Sequence, residues 1–248
     1  MRADRVLAAV LLVTALSGCG VSGASVPPQG ASGAVVGASV SPGGSPSEAG
    51  LRYVALGDSY TIGTSVAPPE RFPDQLVDAL RREEPTLRLV ANLGVNGYTS
   101  ADLIRDELPA LDDLRPEFVT VLIGVNDVVQ GVPAERYEAN VVTILDALLA
   151  RLPADSIVTV AIPDYTVTPA GSDYGDPRQQ HDGIVASNAV MERLSGERGI
   201  VFVDIFDISL RAADDRALVA DDGLHPGGAQ YGLWVERIRP AVERLLGR

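Results

Sequence analysis

From Leu51 onward the chain alternates short apolar runs with longer stretches of helical period, and no other feature restricts its fold as much. The apolar runs span 53–56, 87–91, 118–123, 157–162 and 200–205, each rich in Val or Ile. Such short, mainly apolar runs suit strands covered on both faces. Between them, the spacing of Tyr137, Val141, Ile144, Leu145, Leu148 and Leu152 predicts a helix over 133–152, with Pro133 in its first turn and Pro153 ending it. Tyr231, Trp234, Val235, Ile238, Val242 and Leu245 predict a last helix over 227–246. Five strands alternating with helices imply a three-layer α/β/α sandwich around a five-stranded parallel sheet. In such sheets ligands bind at the carboxyl ends of the strands.

The first 50 residues lack this pattern. Arg2 and Arg5 precede an apolar run over 6–16 that only Thr14 interrupts. The run is shorter than the about 20 residues a membrane span needs, but it suits the core of a signal peptide. It ends in Leu16-Ser17-Gly18-Cys19, which resembles a bacterial lipobox. By that resemblance 1–18 is a lipoprotein signal peptide and Cys19 becomes the lipid-bearing first mature residue. An ordinary secretory signal with a chance Cys is the alternative. Residues 19–50 are almost all Gly, Ala, Ser, Val and Pro and read as a flexible tether, about 30 Å from end to end. The domain over 51–248 is thus expected outside the cytoplasm, anchored to a bacterial membrane. Gly18, Gly20 and Gly23 match a dinucleotide-binding glycine pattern, but no strand precedes them and no helix follows.

Composition removes several chemistries. All 20 basic residues are Arg, which excludes a Walker-A phosphate loop and a Schiff-base lysine. One Cys and two His cannot build a Cys/His zinc site, and a single Cys cannot form an internal disulfide. A net charge of -13 argues against nucleic acid as a partner. Oxygen nucleophiles, carboxylates and two imidazoles remain.

The residues that follow the strands carry such groups. Gly57-Asp58-Ser59 follows the first run, Asn96-Gly97 lies after the second, Gly124-Val125-Asn126-Asp127 follows the third, and Asp222-Gly223-Leu224-His225 comes near the end. A serine nucleophile needs a base, and the base needs a carboxylate to fix its tautomer. His225 has Asp222 three residues before it, with Asp221 as a rival carboxylate. His181, in a polar Gln-Gln-His-Asp-Gly stretch, reads as a solvated surface histidine. The backbone N–H groups of Ser59 and Gly97 and the side chain of Asn126 can supply donors to an oxyanion. Asp58 and Asp127 read as structural, bonding turn backbone.

In their order, these four blocks make the chain resemble an SGNH/GDSL hydrolase from Leu51 to its end. The resemblance implies the flavodoxin-like fold of that family and a GDSL-type serine esterase or lipase. It assigns Ser59 as nucleophile, His225 as base, Asp222 as its orienting carboxylate, and Ser59, Gly97 and Asn126 as the oxyanion hole. The first block reads Gly-Asp-Ser-Tyr where the family has Gly-Asp-Ser-Leu, a change at a non-catalytic position. No metal or organic cofactor is required, and a monomer acting on a small-molecule or lipid ester is expected. An acyltransferase, a carbohydrate O-deacetylase and a non-catalytic surface-binding lipoprotein stay open. The stretch over 163–182, without clear periodicity, reads as a wall of the pocket, an exposed connector being the alternative.

Overall fold

The computed structural model describes residues 50–82, 86–245 and 247. Cys19, the signal segment and all of the tether except Gly50 lie outside the described residues. Strands β1 (Leu51–Gly57), β2 (Leu87–Asn92), β3 (Phe118–Leu122), β4 (Ile157–Val160) and β5 (Val201–Val203) form one sheet in the order β2-β1-β3-β4-β5. All four pairings are parallel. In β1 and β3, Tyr53 pairs with Phe118 and Gly57 with Leu122, so the two strands end level.

The helices are α1 (Ser59–Ile62), α2 (Phe72–Leu80), α3 (Ser100–Asp102), α4 (Leu111–Leu114), α5 (Val125–Val129), α6 (Ala134–Leu149), α7 (Pro177–Glu197), α8 (Phe206–Leu210) and α9 (Gly228–Leu245). Side chains alternate between the faces of a strand. Tyr53 and Ala55 therefore join Phe72, Leu76, Tyr231, Trp234 and Ile238 of α2 and α9 in one core. Val54 and Leu56 join Val141, Ile144, Leu148, Met191 and Leu194 of α6 and α7 in the other. Each fully buried large apolar side chain contributes about 1.5–3 kcal/mol relative to exposure. Both faces being covered explains why β1 and β3 read as mainly apolar runs. The result is the three-layer α/β/α sandwich expected.

The boundaries differ from the expectation in informative ways. Strand β4 stops at Val160 rather than at 162. The backbone N–H of Ile162 donates to Asn188 Oδ1 at 2.7 Å, and Asn188 Nδ2 donates to the Ile162 carbonyl at 2.9 Å. A side-chain amide of α7 thus takes over the hydrogen bonding that a neighbouring strand would supply. Pro133 is the N-cap of α6 rather than its first residue. The chain reverses its order across the sheet between β1 and β3, the switch point where this topology opens a crevice for ligands.

Candidate active site

Ser59 is positioned by the shortest possible exit from β1. Gly57 has φ +149°, and a Cβ there would sit 2.1 Å from the Leu122 carbonyl oxygen of β3, so only glycine lets the two strand ends approach. Asp58 then caps α1, its Oδ1 accepting from the Tyr60 N–H at 3.0 Å. Ser59 is the first residue of that short helix, nearly buried but on the wall of a cavity of about 250 Å³.

The opposite side of the switch point supplies Asn126, on α5 just past β3. Its Nδ2 donates to the Tyr98 carbonyl at 2.9 Å, which uses one of the two amide hydrogens. Asp127 beside it accepts from the Ser100 N–H at 2.8 Å and from the Ser100 hydroxyl. These bonds fasten the loop that carries Gly97 to α5, so Gly97 and Asn126 come to the same cavity as Ser59. Gly97 has φ +82° and open space where a Cβ would be; its glycine serves backbone conformation, not packing.

His225 lies on the cavity wall as well, its ring 5.6 Å from that of Tyr60. Its Nδ1 is 2.6 Å from Asp222 Oδ2, and Asp222 Oδ1 accepts from the backbone N–H groups of Leu224 and His225. Asp222, not Asp221, is the carboxylate on the imidazole. Burial pushes the Asp222 carboxyl up, but hydrogen bonds from Ser65, His225 and the two amides outweigh it and hold the group well below the usual carboxylate range. An ionised Asp222 keeps the Nδ1 proton in place, and leaves Nε2 as the free ring nitrogen.

Two supports were not visible in the sequence. Ser65 donates to Asp222 Oδ2 at 2.6 Å from a left-handed backbone with φ +66°. Glu107, in a π-helical turn over Leu103–Glu107, accepts the Gly57 N–H at 2.9 Å. Burial pushes the Glu107 carboxyl up to about 9 and that of Asp58 up to about 8. Glu107 Oε1 and Asp58 Oδ2 are buried without partners, so the retained protons spare the interior unpaired negative charge.

His181 lies at the surface as expected, but it also has a buried partner. Its Nδ1 lies 2.6 Å from Oδ2 of the fully buried Asp164, and its ring packs on Phe206 while staying 40% exposed. It does not line the cavity of Ser59. The segment over 163–182 does contribute to that cavity, through Tyr165 and Tyr174. Among the described residues, no group of three or more His, Cys, Asp or Glu side chains could hold a metal ion.

The sheet order and its helical layers are those of the SGNH and GDSL α/β hydrolases. The chain belongs to the GDSL-like lipase/acylhydrolase family, whose model matches residues 55–233. Among solved structures it is similar to a psychrotrophic esterase from Pseudoalteromonas sp., with 19% identity and a TM-score of 0.61 over 80% of this chain and 100% of that one. It is also similar to an acetyl xylan esterase from Geobacillus stearothermophilus, at 20% identity and a TM-score of 0.59 over 80% and 95%. A lipase/acylhydrolase from Enterococcus faecalis matches at 17% identity and a TM-score of 0.62 over 80% and 96%. No curated protein sequence gives a significant match.

Proposed function

We propose that this hydrolase cleaves carboxylic esters through a covalent acyl-enzyme on Ser59. The observation that carries the reading is the convergence of Ser59, Gly97, Asn126 and the Asp222-held His225 on one cavity. His225 Nε2 takes the Ser59 proton as Oγ attacks the ester carbonyl, both groups facing one cavity. The tetrahedral oxyanion accepts hydrogen bonds from the Ser59 and Gly97 amides and the second Asn126 amide hydrogen. The adduct collapses, and His225 returns the proton to the departing alcohol. Water, deprotonated by His225, then attacks the acyl-serine; His225 returns that proton to Ser59 Oγ as the carboxylic acid leaves. Hydrolysis of chromogenic esters by wild type but not by Ser59→Ala tests the role of Ser59. A rapidly quenched reaction should show the acyl mass on the peptide containing Ser59. A Ser59→Ala protein as active as wild type removes the reading.

The same reading extends to where the enzyme works. Residues 1–18 direct export, Cys19 carries a diacylglycerol, and 19–50 tether the catalytic domain to a membrane outside the cytoplasm. Durable anchoring takes two or more acyl chains, as a lipoprotein cysteine supplies. Metabolic labelling with a fatty acid should mark wild type and not Cys19→Ala. Equal labelling of both removes the lipid anchor.

A further inference from the structure

The cavity at Ser59 is small. Its volume of about 250 Å³ falls below the about 300–1,000 Å³ of pockets for drug-sized ligands. Apart from the polar groups at the reacting centre its lining is mainly apolar, with Val125 and Val129 from α5 and Tyr165 and Tyr174 from the segment after β4.

The two tyrosines differ in how they are held. Tyr165 is buried, and its hydroxyl donates to Gln180 Oε1 at 2.8 Å. Tyr174 packs edge-on against it, with ring centroids 5.9 Å apart and planes at 76°, and remains 43% exposed. The backbone beneath Tyr174 is braced. Gly171 packs so tightly that a Cβ would lie 2.5 Å from the Tyr165 carbonyl oxygen. The Ala170 N–H donates to the Gly223 carbonyl at 3.0 Å, which ties this segment to the loop between Asp222 and His225. The backbone that carries Tyr174 is thus held in place, and its ring forms part of the cavity wall.

We infer that Tyr174 limits the acyl chain, and that the substrates are esters of short unbranched acids. The inference rests on the ester-hydrolase reading above and deepens it. Each methylene that enters the apolar part of the cavity raises kcat/KM about fourfold. The gain stops where the chain meets Tyr174, and longer chains must stay in water or displace the ring.

The test compares kcat/KM of the full chain for p-nitrophenyl acetate, butanoate, hexanoate, octanoate and decanoate, with Ser59→Ala as the blank. Wild type should peak at or below hexanoate. Tyr174→Ala should raise the octanoate-to-butanoate ratio about fifteenfold, as about two more methylenes find room. Tyr174→Trp should lower the hexanoate-to-acetate ratio. Each readout is a ratio within one variant, so a general loss of stability or turnover cancels. A Ser59-dependent activity whose ratios do not move in either variant, or a wild-type optimum at decanoate, overturns the inference alone. No Ser59-dependent hydrolysis of any of these esters overturns the ester-hydrolase reading and the inference with it.

Discussion

Ser65 Oγ and His225 Nδ1 each lie 2.6 Å from the same oxygen of Asp222, so one carboxylate oxygen is held from two sides. Ser65 reaches it from a left-handed backbone that costs a non-glycine residue about 1–2 kcal/mol. That strain is sustained where the hydroxyl orients the partner of the imidazole. Ser65→Ala should lower kcat about tenfold with little change in KM, since charge-assisted hydrogen bonds are worth about 1.5–3 kcal/mol. Ser65→Gly should lose the same activity yet melt higher than Ser65→Ala, because glycine accepts the backbone. Equal melting temperatures for the two variants would show that the conformation is unstrained.

The two Asp–His pairs should respond in opposite ways. His225→Asn should lower turnover by about 10⁴ while the melting temperature hardly moves, since no base remains for Ser59. His181→Ala should leave turnover within a few fold and reduce stability by about 1–3 kcal/mol, because it removes a partner of the buried Asp164. Parallel kinetics and denaturant melts separate the pairs. A His181 variant as impaired as the His225 one would overturn the assignment.

Asn126 should act chiefly when charge develops on the substrate carbonyl. Asn126→Ala should lower kcat by about 10² to 10³ with a smaller effect on KM. In a Ser59→Ala background the same change should matter far less, because no serine adduct forms. Full additivity across the four proteins, or activity lost only in step with stability, would mean that the Asn126–Tyr98 hydrogen bond merely holds a turn.

Asp58 and Glu107 predict a weakening at alkaline pH. Burial raises both above their unfolded values, so the folded state binds more protons than the unfolded one between the ordinary carboxylate range and about 8 to 9. Stability is then greatest at mildly acidic pH and falls as pH rises through that window. Asp222 has the opposite sign and adds a loss only at acid pH, below the usual carboxylate range. Melting curves from pH 5 to 9 should decline for wild type and flatten for Glu107→Gln. Identical slopes for the two proteins would rule out Glu107 as the source.

The five strands, the helical layers and the candidate chemistry were legible in the sequence, because each depends on neighbours along the chain. The apolar runs report strands buried on both faces, the stripe from Tyr137 to Leu148 reports one face of α6, and Gly57-Asp58-Ser59 sits where a tight exit from β1 must lie. Even the Asp222–His225 contact spans only three residues. The tertiary structure alone decided the rest. Ser65 meets Asp222 across 157 positions, and Glu107 meets Gly57 across 50. Neither partner carries a local mark, since a serine after a short helix and a glutamate on a helix are ordinary residues until the fold brings their partners to them. His181 read as solvated for the same reason: nothing near it in the sequence says that Asp164, 17 residues away, is sealed in the interior and needs a partner. Periodicity tells which face of an element is buried. Which polar group meets another once water is excluded depends on distances between elements, and packing in three dimensions sets those.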